Sequence, residues 1–213
     1  MSNLDRAIIW PFPWPDTPAL IRAYNTLVMA AGADDNTRQA LGDPSKLPRP
    51  WDPATCTDRQ LRTELWAWLE SVVTWLNHEY VWDHTSNGLI PACWPHHPHL
   101  VHDIAVLADQ RRRAGLDLTS STLEEWHRYC LPNFYDRLKA RTRSLCENEH
   151  ADWPARGRYQ RHTNRTMVDD RTSRYQADLD QLPAAPPECP PPPRLHLIDE
   201  DGDRIDPTSG EVL

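Results

Sequence analysis

The sequence predicts an all-α fold: a compact bundle of four to five helices, with a Pro-rich extended N-terminal strap and a C-terminal tail that is disordered or folded as a hairpin. Three observations lead there. Over 58–79, Leu61, Leu65, Trp68, Leu69, Val72, Val73 and Leu76 recur at helical spacing. The 21 prolines sit mainly in the flanks, leaving the middle free for helices. Apolar residues are only 39% of the 213, but ten are Trp, each able to bury a large area.

The elements follow in order. The strap is 1–16; in "AIIWPFPWPDTP", residues 7–18, Pro alternates with Trp10, Phe12 and Trp14. Pro fixes φ and extends its predecessor, so this is a polyproline II strap with its aromatics packed on the domain. The helical domain is 17–150. Thr17 caps its first helix with Pro18 at the first position, and Leu20, Ile21, Tyr24, Leu27 and Val28 form the apolar face up to Gly32. A short helical piece is expected at 34–41. Thr57 and Gln60 read as a capping box for the helix at 58–79, so apolar that it belongs at the centre, with Trp66 and Trp75 widening its face.

Pro98 opens the next helix, 98–114, with Leu100, Val101, Ile104, Leu107 and Ala108 inward and Gly115 as its end. Ser121 and Glu124 form a second capping box. The helix after it, 122–147, turns Leu123, Trp126, Cys130, Phe134, Leu138 and Leu145 inward, and Pro132 bends or breaks it. Residues 151–182 are a polar, Arg-rich arm with one weak helix at 168–181. Residues 183–194, "PAAPPECPPPPR", are a stiff linker. In the acidic tail, 195–213, Asp201-Gly202 suggests a small hairpin.

Charge and composition exclude several classes. The net charge of −8 argues against a surface that binds nucleic acid everywhere, though not against a local basic patch. No apolar run approaches 18 residues and no secretory leader is visible, so no membrane association is expected. Cys56, Cys93, Cys130, Cys146 and Cys189 are odd in number and scattered, which is no disulfide framework and fits a reducing cytoplasm. No phosphate-cradling, nucleophile-elbow or HExxH motif is present. Glu124-Glu125 sits in a helix first turn, and "DEDGD" at 199–203 lacks the order of a calcium loop. No catalytic residue is nominated.

The stretch "CWPHHPHLVHD", 93–103, raises the question of a metal. Cys93 and His97 are spaced Cys-x3-His, and Cys146 and His150 repeat the spacing. Thiolate and imidazole are the ligands zinc prefers. On a helix, residues i and i+4 share a face, so the second pair can point together. Antiparallel packing of 98–114 against 122–147 puts both pairs at one end. The expected lengths, about 25 and 39 Å, leave an overhang of about 14 Å unless Pro132 bends the longer helix back. Against zinc, free Cys packs as a small hydrophobe, and Cys-x3-His is not a common finger spacing. His96, His99 and His102 are fallback ligands, and Cys130 reads as core.

A second constellation is "WPARGRYQRHTNRT", 153–166. It carries Arg156, Arg158, Arg161 and Arg165 with no acid, and Trp153 and Tyr159 are interleaved. Arg pairs with phosphates while aromatics stack on bases. The bland alternative is a solvated arm whose Arg pair with Asp169, Asp170 or the tail. Only Lys46 and Lys139 are Lys, which reads as codon bias rather than chemistry.

"ACWPHHPHLVHDIAVLADQRRRAG" and "LEEWHRYCLPNFYDRL" resemble an actinobacterial family known only as a domain of unknown function, over about 60–150. Its pattern is a Cys/Trp–His-Pro stretch leading into a Leu-rich helix and then a Trp-containing one. Cys93, Trp94, His97, Pro98, Leu100, Leu107 and Trp126 carry the resemblance. It implies no catalytic residues, and it implies genes on plasmids and integrative conjugative elements near DNA-transfer or replication functions.

Three functions are therefore open. The first is a non-enzymatic accessory protein that binds a protein or nucleic-acid partner through the Arg-rich arm. The second is a zinc-dependent hydrolase or nuclease using Cys93, His97 and Cys146 with an open fourth position. The third is a small structural zinc protein.

Overall fold

The computed structural model describes residues 8–34, 37, 40, 42–81, 88–142, 146, 149–182, 197–198 and 204–205, and the chain divides into two units, Met1–Asp152 and Trp153–Leu213. The first unit holds α1 (Pro18–Ala31), α2 (Arg59–Glu79), α3 (Pro98–Leu116), α4 (Ser121–Glu125), a π turn (Trp126–Cys130) and α5 (Leu131–Thr142). Short 3-10 turns stand at Pro44–Lys46, Pro53–Thr55 and Trp94–His96. The architecture is all-α, as the periodicity predicts. The helical piece expected at 34–41 falls mostly outside the described residues, as do the 183–194 linker and "DEDGD".

The strap is tied to α2 by tryptophans. Extended backbone cannot bond to itself, and a buried indole N–H needs an acceptor. Each satisfies the other: Trp68 Nε1 donates to Pro13 O at 2.8 Å, and Trp75 Nε1 donates to Trp10 O at 3.0 Å. Phe12 is buried edge-on against Trp75, while Trp14 stays 43% exposed. The Trp10 ring stacks on His78, and its backbone N–H donates to Glu79 Oε1 at 2.9 Å.

That N–H is the main reason the Glu79 carboxyl lies below the ordinary glutamate range; His78 adds to it. A lowered folded-state pKa contributes stability that is present above the ordinary value and lost as pH falls through the lowered one. Acid titration should therefore loosen the strap before the bundle unfolds, read as a change in Trp10 emission. Glu79→Gln should remove that early step; an early step that persists in the variant contradicts the assignment.

Several helix ends differ from expectation. Thr17 stands at the N-cap of α1 but makes no capping hydrogen bond to it. Glu64, on α2, accepts from Ala19 N and Leu20 N at 2.7 and 3.2 Å, so one helix caps another across a long sequence separation. The buried face of α1 is Ala19, Leu20, Ala23 and Tyr24; Ile21 and Val28, expected inward, are 43% and 72% exposed. The α2 cap is Asp58, which accepts from Leu61 N at 2.8 Å, not Thr57, and Gln60 donates to Glu64 instead. Ser121 is inside α4; Asp117 gathers Thr119 and Thr122 just ahead of it.

Gly115 does not end α3, which runs on to Leu116. A Cβ at 115 would lie 3.0 Å from the Trp14 ring, so the glycine admits that ring rather than stopping the helix.

The helix expected at 122–147 is three pieces. Pro132 has no N–H for the carbonyl one turn back. The chain widens just before it into the π turn, where Leu131 N bonds Trp126 O. α5 is described to Thr142, and Cys146 is no longer helical. From Ser121 to Thr142 the run is about 33 Å against about 28 Å for α3. Because Cys146 is not helical, the overhang is smaller than the sequence suggests.

The core centres on α2 and α3. Trp94 and Trp126 are among the largest fully buried side chains. Asp109 is the buried charge among the described residues, and Arg112 reaches its Oδ1 with Nε and Nη2 at 3.0 and 2.9 Å. The same guanidinium lies over the Tyr24 ring at 3.8 Å, linking α3 to α1.

In the second unit α6 (Arg156–Thr163) and α7 (Arg165–Leu179) meet at Asn164, whose side chain caps α7 by accepting from Thr166 N. Helix is thus more extensive than the single piece expected at 168–181. Neither helix has a buried residue. Strands β1 (Leu197–Ile198) and β2 (Arg204–Ile205) pair antiparallel, as the Asp-Gly signal suggests. No helix among the described residues is long and apolar enough to cross a membrane.

Candidate metal centre

Cys93, His97, Cys146 and His150 come together, each offering one ligand atom, and the four atoms lie within 4.8 Å of one another. Three local structures place them. Trp94 is buried and donates through Nε1 to Glu70 Oε2 at 3.1 Å, which fixes the 3-10 turn between Cys93 and His97 against α2. His97 is the N-cap residue of α3, with Pro98 at its first position. Across the hairpin, Asp103 of α3 receives Arg141 Nη1 at 2.7 Å and Arg137 Nε at 3.5 Å, both from α5. That holds the end of α5 beside α3, four residues before Cys146.

The sequence reading is corrected in one respect. Cys146 lies in a turn and His150 in irregular chain, so they do not share a helical face. The four ligand atoms converge although the second pair is not helical.

The distances suit a small cation. With metal–ligand bonds of about 2.0–2.3 Å, neighbouring donors around a tetrahedral zinc stand about 3.3–3.8 Å apart. Cys93 Sγ and Cys146 Sγ lie 3.3 and 3.4 Å from one atom, His97 Nε2. A neutral imidazole nitrogen has a single lone pair and cannot accept well from two thiols at once. An ion between the three satisfies all of them. The His150 ring stands 5.1 Å from the His97 ring, centroid to centroid.

The electrostatics point the same way. Burial, and then the neighbouring His150, His99 and His96, hold His97 below the ordinary histidine range, so its ring is neutral at pH 7 with a free lone pair. Burial, and then the adjacent Cys146, raise the Cys93 thiol. A divalent ion bound here would displace the two thiol protons.

The fallback ligands fall elsewhere. His96 stacks at 4.8 Å from the His150 ring but is not one of the four. His99 lies 5.7 Å from the His97 ring, and its buried Nε2 has no hydrogen-bond partner. His102 is exposed. Cys130 packs partly buried against the core, as expected. Asp103, Arg137 and Arg141 were not legible as a set: the ion pairs join residues more than thirty positions apart, and no local pattern marks them.

In the second unit, Arg156, Arg158 and Arg161 are exposed and pair with no acid among the described residues. Arg165 is within 3.9 Å of Asp169. Trp153 and Tyr159, each 52% exposed, contact each other at 5.1 Å. The chain matches no protein-family model, no curated protein and no solved structure.

Proposed function

We propose that this is a small helical zinc protein without enzymatic activity, in which Cys93, His97, Cys146 and His150 hold one structural ion. The observation that carries the reading is the convergence of two sulfurs and two imidazoles within 4.8 Å. Two soft and two borderline ligands favour zinc over calcium or magnesium, which take oxygen. With His150 as a fourth donor no open position remains for a substrate or water, so a structural ion is favoured over a hydrolase or nuclease. The ion would join the loop before α3 to the chain after α5 and so close the hairpin.

Purified reduced protein should contain one zinc per chain, and a strong chelator should lower its thermal midpoint. Absence of zinc, or a chelated protein that melts unchanged, contradicts the reading. Binding at pH 7 should also release about two protons, one from each thiol. Calorimetric heats should then change with the ionisation enthalpy of the buffer; heats independent of buffer would speak against thiolate ligation.

A second reading concerns the arm and is favoured by the unpaired guanidinium groups of α6. Arg156, Arg158 and Arg161 would bind nucleic-acid phosphates, with Trp153 and Tyr159 offering stacking faces. The partner would be nucleic acid, and the zinc unit an accessory scaffold. Changing all three Arg to Ala should weaken binding of a labelled single-stranded oligonucleotide and reduce the log–log salt slope by about 2. Equal binding by variant and parent removes this reading and leaves a protein partner as the alternative.

A further inference from the structure

We propose that Cys93 and Cys146 also form a dithiol site for two-electron oxidants of the peroxide class, closing to an intramolecular disulfide that abolishes the metal centre. The proposal rests on the metal reading for its consequence but on sulfur geometry for its chemistry.

Both cysteines are partly exposed, both sulfurs contact His97 Nε2, and the sulfurs lie within 4.8 Å of each other. A disulfide needs about 2.0 Å between sulfurs. The remaining gap is under about 3 Å, the distance one change of χ1 well carries a sulfur. Cys146 stands in a turn rather than a helix, where such an adjustment meets less resistance. The other described cysteines differ in place: Cys56 is fully buried, and Cys130 packs against the core.

The chemistry balances with one peroxide per pair. One sulfur attacks a peroxide oxygen, the O–O bond breaks, and a sulfenic acid and one alcohol or water form. The second sulfur attacks the first and expels water. The two electrons lost by the thiols reduce the peroxide O–O bond, and the two thiol protons leave in the alcohol and water. Two imidazoles then remain, too few for a four-coordinate ion. The same bond ties the loop before α3 to the turn after α5, so oxidation replaces one link across the hairpin with another. A thiol reductant reverses it.

The test uses the full chain, loaded with zinc and, separately, stripped of metal under reducing conditions. Each is treated with equimolar hydrogen peroxide, digested without reduction and mapped by mass spectrometry, while a chromophoric chelator reads released zinc. Expected is a peptide pair linked through Cys93 and Cys146, about 2 Da lighter than the reduced pair. Zinc should appear in step with it, and dithiothreitol should return both. Cys93→Ser and Cys146→Ser should each lose the linked pair. If instead the two sulfurs end separately as sulfinic or sulfonic acids, or pair with Cys56, Cys130 or Cys189, the proposal is overturned. A chain that binds no zinc yet forms the linked pair defeats the metal reading and keeps the dithiol. A chain that holds zinc and never forms the pair does the reverse.

Discussion

Cys146→Ser should weaken zinc binding by more than a hundredfold while leaving the helical content of the zinc-free protein unchanged. Loss of a supporting group around a metal typically costs about 10–100-fold in affinity, and loss of a ligand exceeds that. Cys146 is the informative choice because it lies in a turn, outside the buried core, so its replacement tests ligation with little packing change. His96→Ala is the matched control. His96 stands as close to the His150 ring as His97 does, yet lies outside the four-residue group. It should retain affinity within a few-fold. If His96→Ala removes zinc and Cys146→Ser does not, the ligand set is wrong. Competition against a chelator of known affinity measures both.

The largest expected effect on stability is at Trp126. Its side chain is 1% exposed, lies 6.3 Å from the Trp75 ring and 5.7 Å from the Tyr80 ring, and donates through Nε1 to Leu107 O at 3.3 Å. It therefore ties the π turn to α2 and α3 at once. Trp126→Ala should cost about 3–5 kcal/mol in urea unfolding, from lost burial and the cavity left behind. Trp126→Phe keeps most of the burial, loses the hydrogen bond and should cost distinctly less. A small effect of the alanine variant would mean that the Trp75–Tyr80–Trp126 cluster is not a keystone of the core.

Much of the fold was legible because it rests on local periodicity. The apolar positions named for the core faces of α2 and α3 repeat at helical spacing and are buried, and the Pro-aromatic strap could only be extended. Local reasoning failed where the deciding partner is distant. Nothing near Thr17 shows that Glu64 will cap α1, and nothing near Gly115 shows that Trp14 will lie on it. Ile21 and Val28 belong to an apolar pattern wide enough that several rotations of α1 are compatible with it; Tyr24 against Arg112 and Trp68 selects one.

The metal centre was legible in its residues but not in its local geometry. The repeated Cys-x3-His spacing singled out four side chains that the structure brings together, although the second pair is not helical. Pro132 was recognised as a disturbance, but its form, a π turn just ahead of it, could not be read from composition.

X-ray absorption at the zinc edge of the full-length reduced protein tests the central claim most directly. The account predicts a four-coordinate shell of two sulfurs at about 2.3 Å and two imidazole nitrogens at about 2.0 Å. A shell of nitrogen and oxygen alone, or one that includes a bound water, would contradict it.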